Sequence, residues 1–139
     1  MAKSLLYRLF GIGKIPRALM SQLQTEDIIL LDEGVKASVT YRNFSAPGKR
    51  FSLRRQWFAG SIALTKSRLL ALRYSNPIIN VPLTDERIRA MQFSLENGAG
   101  LCAAFDVALF HSDWSGMIEY RFRTPQAQQF LELLAKQRR

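Results

Sequence analysis

Residues 60–72 read Gly-Ser-Ile-Ala-Leu-Thr-Lys-Ser-Arg-Leu-Leu-Ala-Leu. Two apolar runs meet here across Lys66-Ser67, a gap the size of a tight hairpin turn, so the segment predicts two antiparallel strands, Trp57 to Thr65 and Arg68 to Tyr74. Upstream, Val35, Ala37, Val39 and Tyr41 alternate with Lys36, Ser38, Thr40 and Arg42. That period of two marks a strand with one buried face and one wet, basic face. Between these strands Asn43 to Arg50 contains Pro47-Gly48 and reads as a loop.

Downstream, a short run from Ile78 to Val81 follows Asn76-Pro77, and a fifth covers Ile88 to Leu95. Asn97-Gly98 then suits a tight hairpin, because both of its central positions need positive φ. The sixth run places Leu101, Ala103, Phe105, Val107 and Leu109 on one face. His111 to Gly116 forms a connection, and the seventh run sets Ile118, Tyr120 and Phe122 against Glu119, Arg121 and Arg123. The last element is a helix with clear punctuation. Thr124 suits its cap and Pro125 its first position, Ala127, Phe130, Leu131 and Leu134 make the inward stripe, and Lys136, Arg138 and Arg139 complement the dipole.

At the other end, residues 1–10 fit an amphipathic helix with Leu5, Leu6, Leu9 and Phe10 on one side and Lys3, Ser4, Tyr7 and Arg8 on the other. Pro16 opens a second short helix carrying Leu19, Met20 and Leu23. Gly11-Ile12-Gly13-Lys14 is no phosphate loop, since no strand precedes it. The expected organisation is an N-terminal helical extension, residues 1–25, followed by a domain over 26–139.

The 139 residues, 47% hydrophobic and 22% charged, suffice for one globular domain with its own core. A lone cysteine, Cys102, and a lone histidine, His111, exclude a disulfide framework and a His/Cys metal cage, and no metal or cofactor is expected. His111-Ser112-Asp113 are triad letters, but consecutive residues can scarcely set a base between nucleophile and orienter. Glu96, Asp106 and Glu119 fall on separate strands, so paired-carboxylate chemistry has no support.

The net charge of +9 is unevenly spread. Residues 1–25 hold four bases and no acid, and residues 26–33 hold Glu26, Asp27, Asp32 and Glu33 with no base. Residues 34–84 hold nine bases and no acid, and the remainder is balanced. This asymmetry points to an anionic partner, set against the plainer reading of a solvated basic face. Lys49, Arg50, Arg54 and Arg55 are its densest cluster, interleaved with Phe44, Phe51, Trp57 and Phe58.

Seven short strands closed by a C-terminal helix is an α+β order in which the helix can plug an open barrel of two packed antiparallel sheets. This order, with Leu64-Thr65-x-x-Arg68-Leu69 as the second-to-third strand hairpin, resembles the bacterial pleckstrin-homology-like (PH-like, GRAM-like) domains over about residues 26–137. Phe130 stands where many eukaryotic relatives carry tryptophan. Lys49 matches the lysine of phosphoinositide-binding members, whereas Arg54-Arg55-Gln56 lacks their basic-x-Arg spacing.

The resemblance implies that Lys49, Arg50, Arg54 and Arg55 lie between strands one and two, near the hairpin carrying Lys66 and Arg68, and converge into a shallow phosphate site. The expected function is a non-catalytic module that docks on anionic lipid surfaces. Leu5, Leu6, Leu9, Phe10 and Trp114 are its candidate membrane or partner contacts. Protein interaction or self-assembly into a homo-oligomer is the alternative, and nucleic-acid binding through charge and stacking comes third. The N-terminal helix has three readings: a membrane anchor, a removed targeting segment, or an element packed on the domain or a second copy. A cytoplasmic location, with peripheral attachment to a membrane, is expected.

Overall fold

The computed structural model describes residues 15–96 and 100–137. These form strands β1 (Ile28–Ala46), β2 (Lys49–Thr65), β3 (Arg68–Arg73), β4 (Asn76–Pro82), β5 (Gln92–Glu96), β6 (Gly100–Asp106) and β7 (Ser115–Arg123). Helix α1 (Arg17–Thr25) precedes them, one-turn helix α2 (Arg87–Ala90) joins β4 to β5, and α3 (Ala127–Gln137) closes the chain. The strands make a single seven-stranded antiparallel sheet in the order β4-β3-β2-β1-β7-β6-β5. It does not close, because β4 and β5 end it on opposite sides.

The apolar density of residues 60–72 follows from burial on both faces. Ile62, Leu64, Leu69 and Ala71 enter the main core, while Ala63, Leu70 and Leu72 face a second cluster with Ile15 and Leu23. Leu23 of α1 is fully buried there, with Leu19 and Met20 packed alongside. Burying one leucine contributes about 1.5–3 kcal/mol. Residues 15–25 thus pack on the sheet, and the helix expected over residues 1–10, to which the three readings apply, lies outside the described residues with its Leu5, Leu6, Leu9 and Phe10.

Asn43 to Arg50 is strand rather than loop, except at the Pro47-Gly48 turn. Phe44 faces Phe51, Ser45 faces Arg50 and Ala46 faces Lys49, so backbone pairing carries the hairpin nearly to its tip. Gly48, at φ +76°, supplies the left-handed position that follows proline in such a turn. Ile88 belongs to α2 and not to a strand. The Asp85 carboxylate accepts the Arg87 N–H at 2.9 Å and starts a helical turn that sends Ile88 into the core. Asn97-Gly98 lies outside the described residues, although β5 and β6 pair on either side of it. In β6 the alternation ends at Phe105. Val107–Leu109 is a 3-10 turn whose Ala108 N–H reaches the Asp106 carboxylate at 2.8 Å.

The sheet curls around a core in which Ile79 and Val81 of β4 share a cluster with Phe122 of β7 and Phe130 and Leu134 of α3. Thr124 accepts the Gln126 N–H at 3.1 Å ahead of α3, whose Ala127, Phe130 and Leu134 are buried as their spacing predicts, while Leu131 of the expected stripe is half-buried. The face of β1 expected to be wet is partly roofed. Ser38 and Thr40 are buried, because the Arg55 and Arg121 guanidinium groups close over Thr40 and donate to its hydroxyl at 3.2 and 3.3 Å.

Candidate functional site

The tip of the β1–β2 hairpin forms one wall of a groove of about 1050 Å³. Its shape begins with a backbone irregularity. Asn43 adopts φ +50°, and the β1–β7 register slips between Arg42 and Ser45. Opposite this bulge stands Gly116, at φ +107°, where an added Cβ would fall 2.4 Å from the Asn43 carbonyl oxygen. The bulge brings Tyr41 and Phe44, three positions apart, into ring contact at 4.9 Å. Phe51 joins them at 5.5 Å from Tyr41 and 5.8 Å from Phe44. Trp114 packs edge-on to Phe44 at 5.7 Å and stacks on His111 at 3.7 Å.

Around this aromatic wall lie Lys49, Arg50, Arg54 and Arg73, and none of the lining residues is Asp or Glu. The Arg54 guanidinium sits 4.7 Å over the Phe51 ring, which holds the charge at the rim without neutralising it. Arg73 lies 5.4 Å over the Phe58 ring and donates to Gln56 at 3.1 Å. Tyr120 also lines the groove. Burial, reinforced by Tyr41 and opposed by Arg73, pushes its phenol well above the ordinary tyrosine value and keeps it neutral.

The six expected anion-binding residues therefore divide among three places. Lys49, Arg50 and Arg54 reach the groove. Arg55, one residue on along β2, occupies the opposite face, 5.8 Å from the Trp57 ring. Lys66 and Arg68 stand at the far end of β2 and do not converge with the others. Lys66 pairs with Asp27 at 3.6 Å, while Arg68 makes a fork to Glu26 at 2.7 and 3.1 Å and a further bond to Asn80. The acidic stretch 26–33 lies beside them because β1 runs antiparallel to β2, with Ile28 opposite Thr65.

Trp114 is half-buried in the groove wall, and Phe58 is core. Arg73 and Tyr41 are site residues that the sequence reading did not assign. Arg73 had only its charge as a signal, since the curl of the sheet is what carries it there. His111 serves as a stacking surface for Trp114. Elsewhere, Arg121 bridges Glu96 and Glu119 at 2.9 and 3.5 Å, and burial pushes the Cys102 thiol up. Among the described residues no group of three or more His, Cys, Asp or Glu side chains is placed to hold a metal ion. No helix among them is long and apolar enough to cross a membrane. Comparison with protein-family models and with curated proteins finds no match to this chain.

The groove can bind anions through two kinds of donor. Arginine forks grip phosphate oxygens in pairs, and lysine acts as a point charge. The neighbouring rings line the groove with apolar surface, half-buried at Tyr41, Phe51 and Trp114 and buried at Phe44.

Proposed function

We propose that the chain is a non-catalytic, PH-like binding module that docks on anionic membrane surfaces through the tip of the β1–β2 hairpin. The observation that carries the reading is the groove, where Lys49, Arg50, Arg54 and Arg73 surround an aromatic wall without one carboxylate. The PH-like assignment draws on the element order and on a curled sheet whose core includes α3. Each base near a charged membrane adds about 1 kcal/mol, so three tip residues together supply enough for reversible docking.

Sedimentation with phosphatidylserine-containing and purely zwitterionic vesicles tests the proposal. The full chain is expected to bind only the anionic vesicles. Changing Lys49, Arg50 and Arg54 to Glu together is expected to reduce that binding by roughly a hundredfold or more. Lys66→Glu, the same charge reversal at the far end of β2, is expected to matter far less. No sedimentation with anionic vesicles at low salt, or equal loss from Lys66→Glu, would refute it. A second reading, self-assembly by strand addition, is favoured by the outer edges of β4 and β5, which pair with no further strand among the described residues. It predicts a concentration-dependent dimer in analytical ultracentrifugation.

A further inference from the structure

The face of the sheet turned away from the main core carries a second basic cluster that membrane docking at the hairpin tip does not use. Trp57 of β2, Ser38 of β1, Arg121 of β7 and Cys102 of β6 are successive cross-strand partners and so share this face. Lys36 and Arg55 stand two positions from Ser38 and Trp57, and Arg123 two from Arg121, on the same side. Here Lys36, Arg55, Trp57, Arg121 and Arg123, together with the Glu96 carboxylate that Arg121 holds at 2.9 Å, line a cleft of about 130 Å³. Arg121 is satisfied by its two glutamates, but Lys36, Arg55 and Arg123 have no acidic partner among the described residues.

Two features make this more than a wet basic surface. The Ala37–Phe122 pairing sets Lys36 and Arg123 side by side on neighbouring strands, where like charges repel until an anion lies between them. Trp57, beside them, is 62% exposed on an open sheet, with the Arg55 guanidinium 5.8 Å from its ring. We infer that this face binds single-stranded nucleic acid, with a backbone phosphate in the cleft among Lys36, Arg55 and Arg123 and a base stacked on Trp57. An unpaired strand fits because its bases can be splayed onto a ring, whereas a duplex keeps them stacked inside. None of these residues lines the hairpin groove, so the inference stands or falls independently of membrane docking.

Fluorescence anisotropy of the full chain with a labelled oligothymidylate of about 20 nucleotides, and with a duplex of equal length, tests it. The single strand is expected to bind at least about tenfold more tightly, and Trp57→Ala to weaken it by about tenfold. Trp57→Phe keeps a ring and is expected to restore most of that loss. With three phosphate contacts, the logarithm of affinity falls against the logarithm of salt with a slope of about −2. Lys36→Glu with Arg123→Glu is expected to flatten that slope, while Lys66→Glu, which lines neither the cleft nor the hairpin groove, changes affinity by less than about threefold. Absence of binding at low salt, equal affinity for the duplex, indifference to Trp57→Ala, or an equal loss from Lys66→Glu would each overturn the assignment. Trp57 is exposed, so its variants are expected to fold, and circular dichroism checks this directly.

Discussion

Gly116 couples the stability of the fold to the shape of the groove, and Gly116→Ala measures that coupling. At φ +107° any side chain is strained, which costs about 1–3 kcal/mol by itself. The new Cβ would also lie 2.4 Å from the Asn43 carbonyl oxygen, 2.7 Å from the Phe44 Cα and 2.8 Å from the Arg42 carbonyl oxygen. All three are backbone atoms of β1, so no rotamer change relieves the overlap. The strands must separate where Ser45 pairs with Ser115 and Arg42 with Met117, losing one or two ladder hydrogen bonds at about 1 kcal/mol each. The total loss is about 2–5 kcal/mol, against about 5–15 kcal/mol for a typical domain. Urea unfolding followed by circular dichroism reads this loss. Tryptophan emission, read in a Trp57→Phe background so that Trp114 alone emits, reports whether Trp114, two residues away, has left Phe44. Gly48→Ala is the comparison, because its Cβ would meet nothing and only the positive φ is penalised, at about 1–2 kcal/mol. Refutation would be a Gly116→Ala protein no less stable than Gly48→Ala, with Trp114 emission unchanged.

Leu23→Ala is expected to cost about 2–5 kcal/mol in the same unfolding assay, since Leu23 is fully buried between α1 and the sheet. A loss below about 0.5 kcal/mol would instead make α1 a detachable extension. Tyr120→Phe is expected to alter the alkaline limb of stability. Because burial raises the phenol's pKa in the folded chain, the unfolded chain ionises first, and stability falls above about pH 10 by up to about 1.4 kcal/mol per pH unit. Denaturant midpoints measured from pH 8 to 11 (about the range in which free tyrosine titrates) should fall less steeply for the phenylalanine variant, and identical slopes would contradict the assignment.

The parts of the fold legible in sequence were those whose burial leaves a local trace. Residues 60–72 announce two strands because both faces of β2 and β3 are covered there, making each run apolar throughout. The stripe Ala127, Phe130 and Leu134 behind Thr124 announces α3 in the same way. The outer half of the β1–β2 hairpin left a weaker trace. Asn43, Ser45, Lys49 and Arg50, on either side of the Pro47-Gly48 turn, are turn and charge types, and their strand conformation comes from backbone pairing across the hairpin. Ile88 to Leu95 alternates well enough to read as one strand, yet the Asp85 side chain bonding to Arg87 diverts its start into a helix. The site divides along the same line. Lys49, Arg50 and Arg54 are neighbours in sequence and remain neighbours in the groove. Arg73 joins them through the curl of the sheet, and Arg55 leaves them through the strand's period of two. Neither step is visible in a list of charges.

The placement of acid along the chain explains why the hairpin's two ends differ. Antiparallel pairing returns β2 to the start of β1, so the acidic stretch 26–33 meets the bases that follow β2. Glu26 and Asp27 meet Arg68 and Lys66 there, and Glu26 accepts from Thr65 and Ser67 as well, fixing the β2–β3 turn. At the opposite end no carboxylate lines the groove to answer Lys49, Arg50, Arg54 or Arg73. Had selection acted on solubility alone, either sign of charge would serve at that tip, and a mixture would hold it together better. Instead one end of the hairpin is neutralised into a structural joint while the other keeps its like charges together beside exposed and half-buried rings. On the proposed reading, an anion in the groove would relieve the mutual repulsion of these charges, so that binding energy and relief of repulsion would act in the same direction.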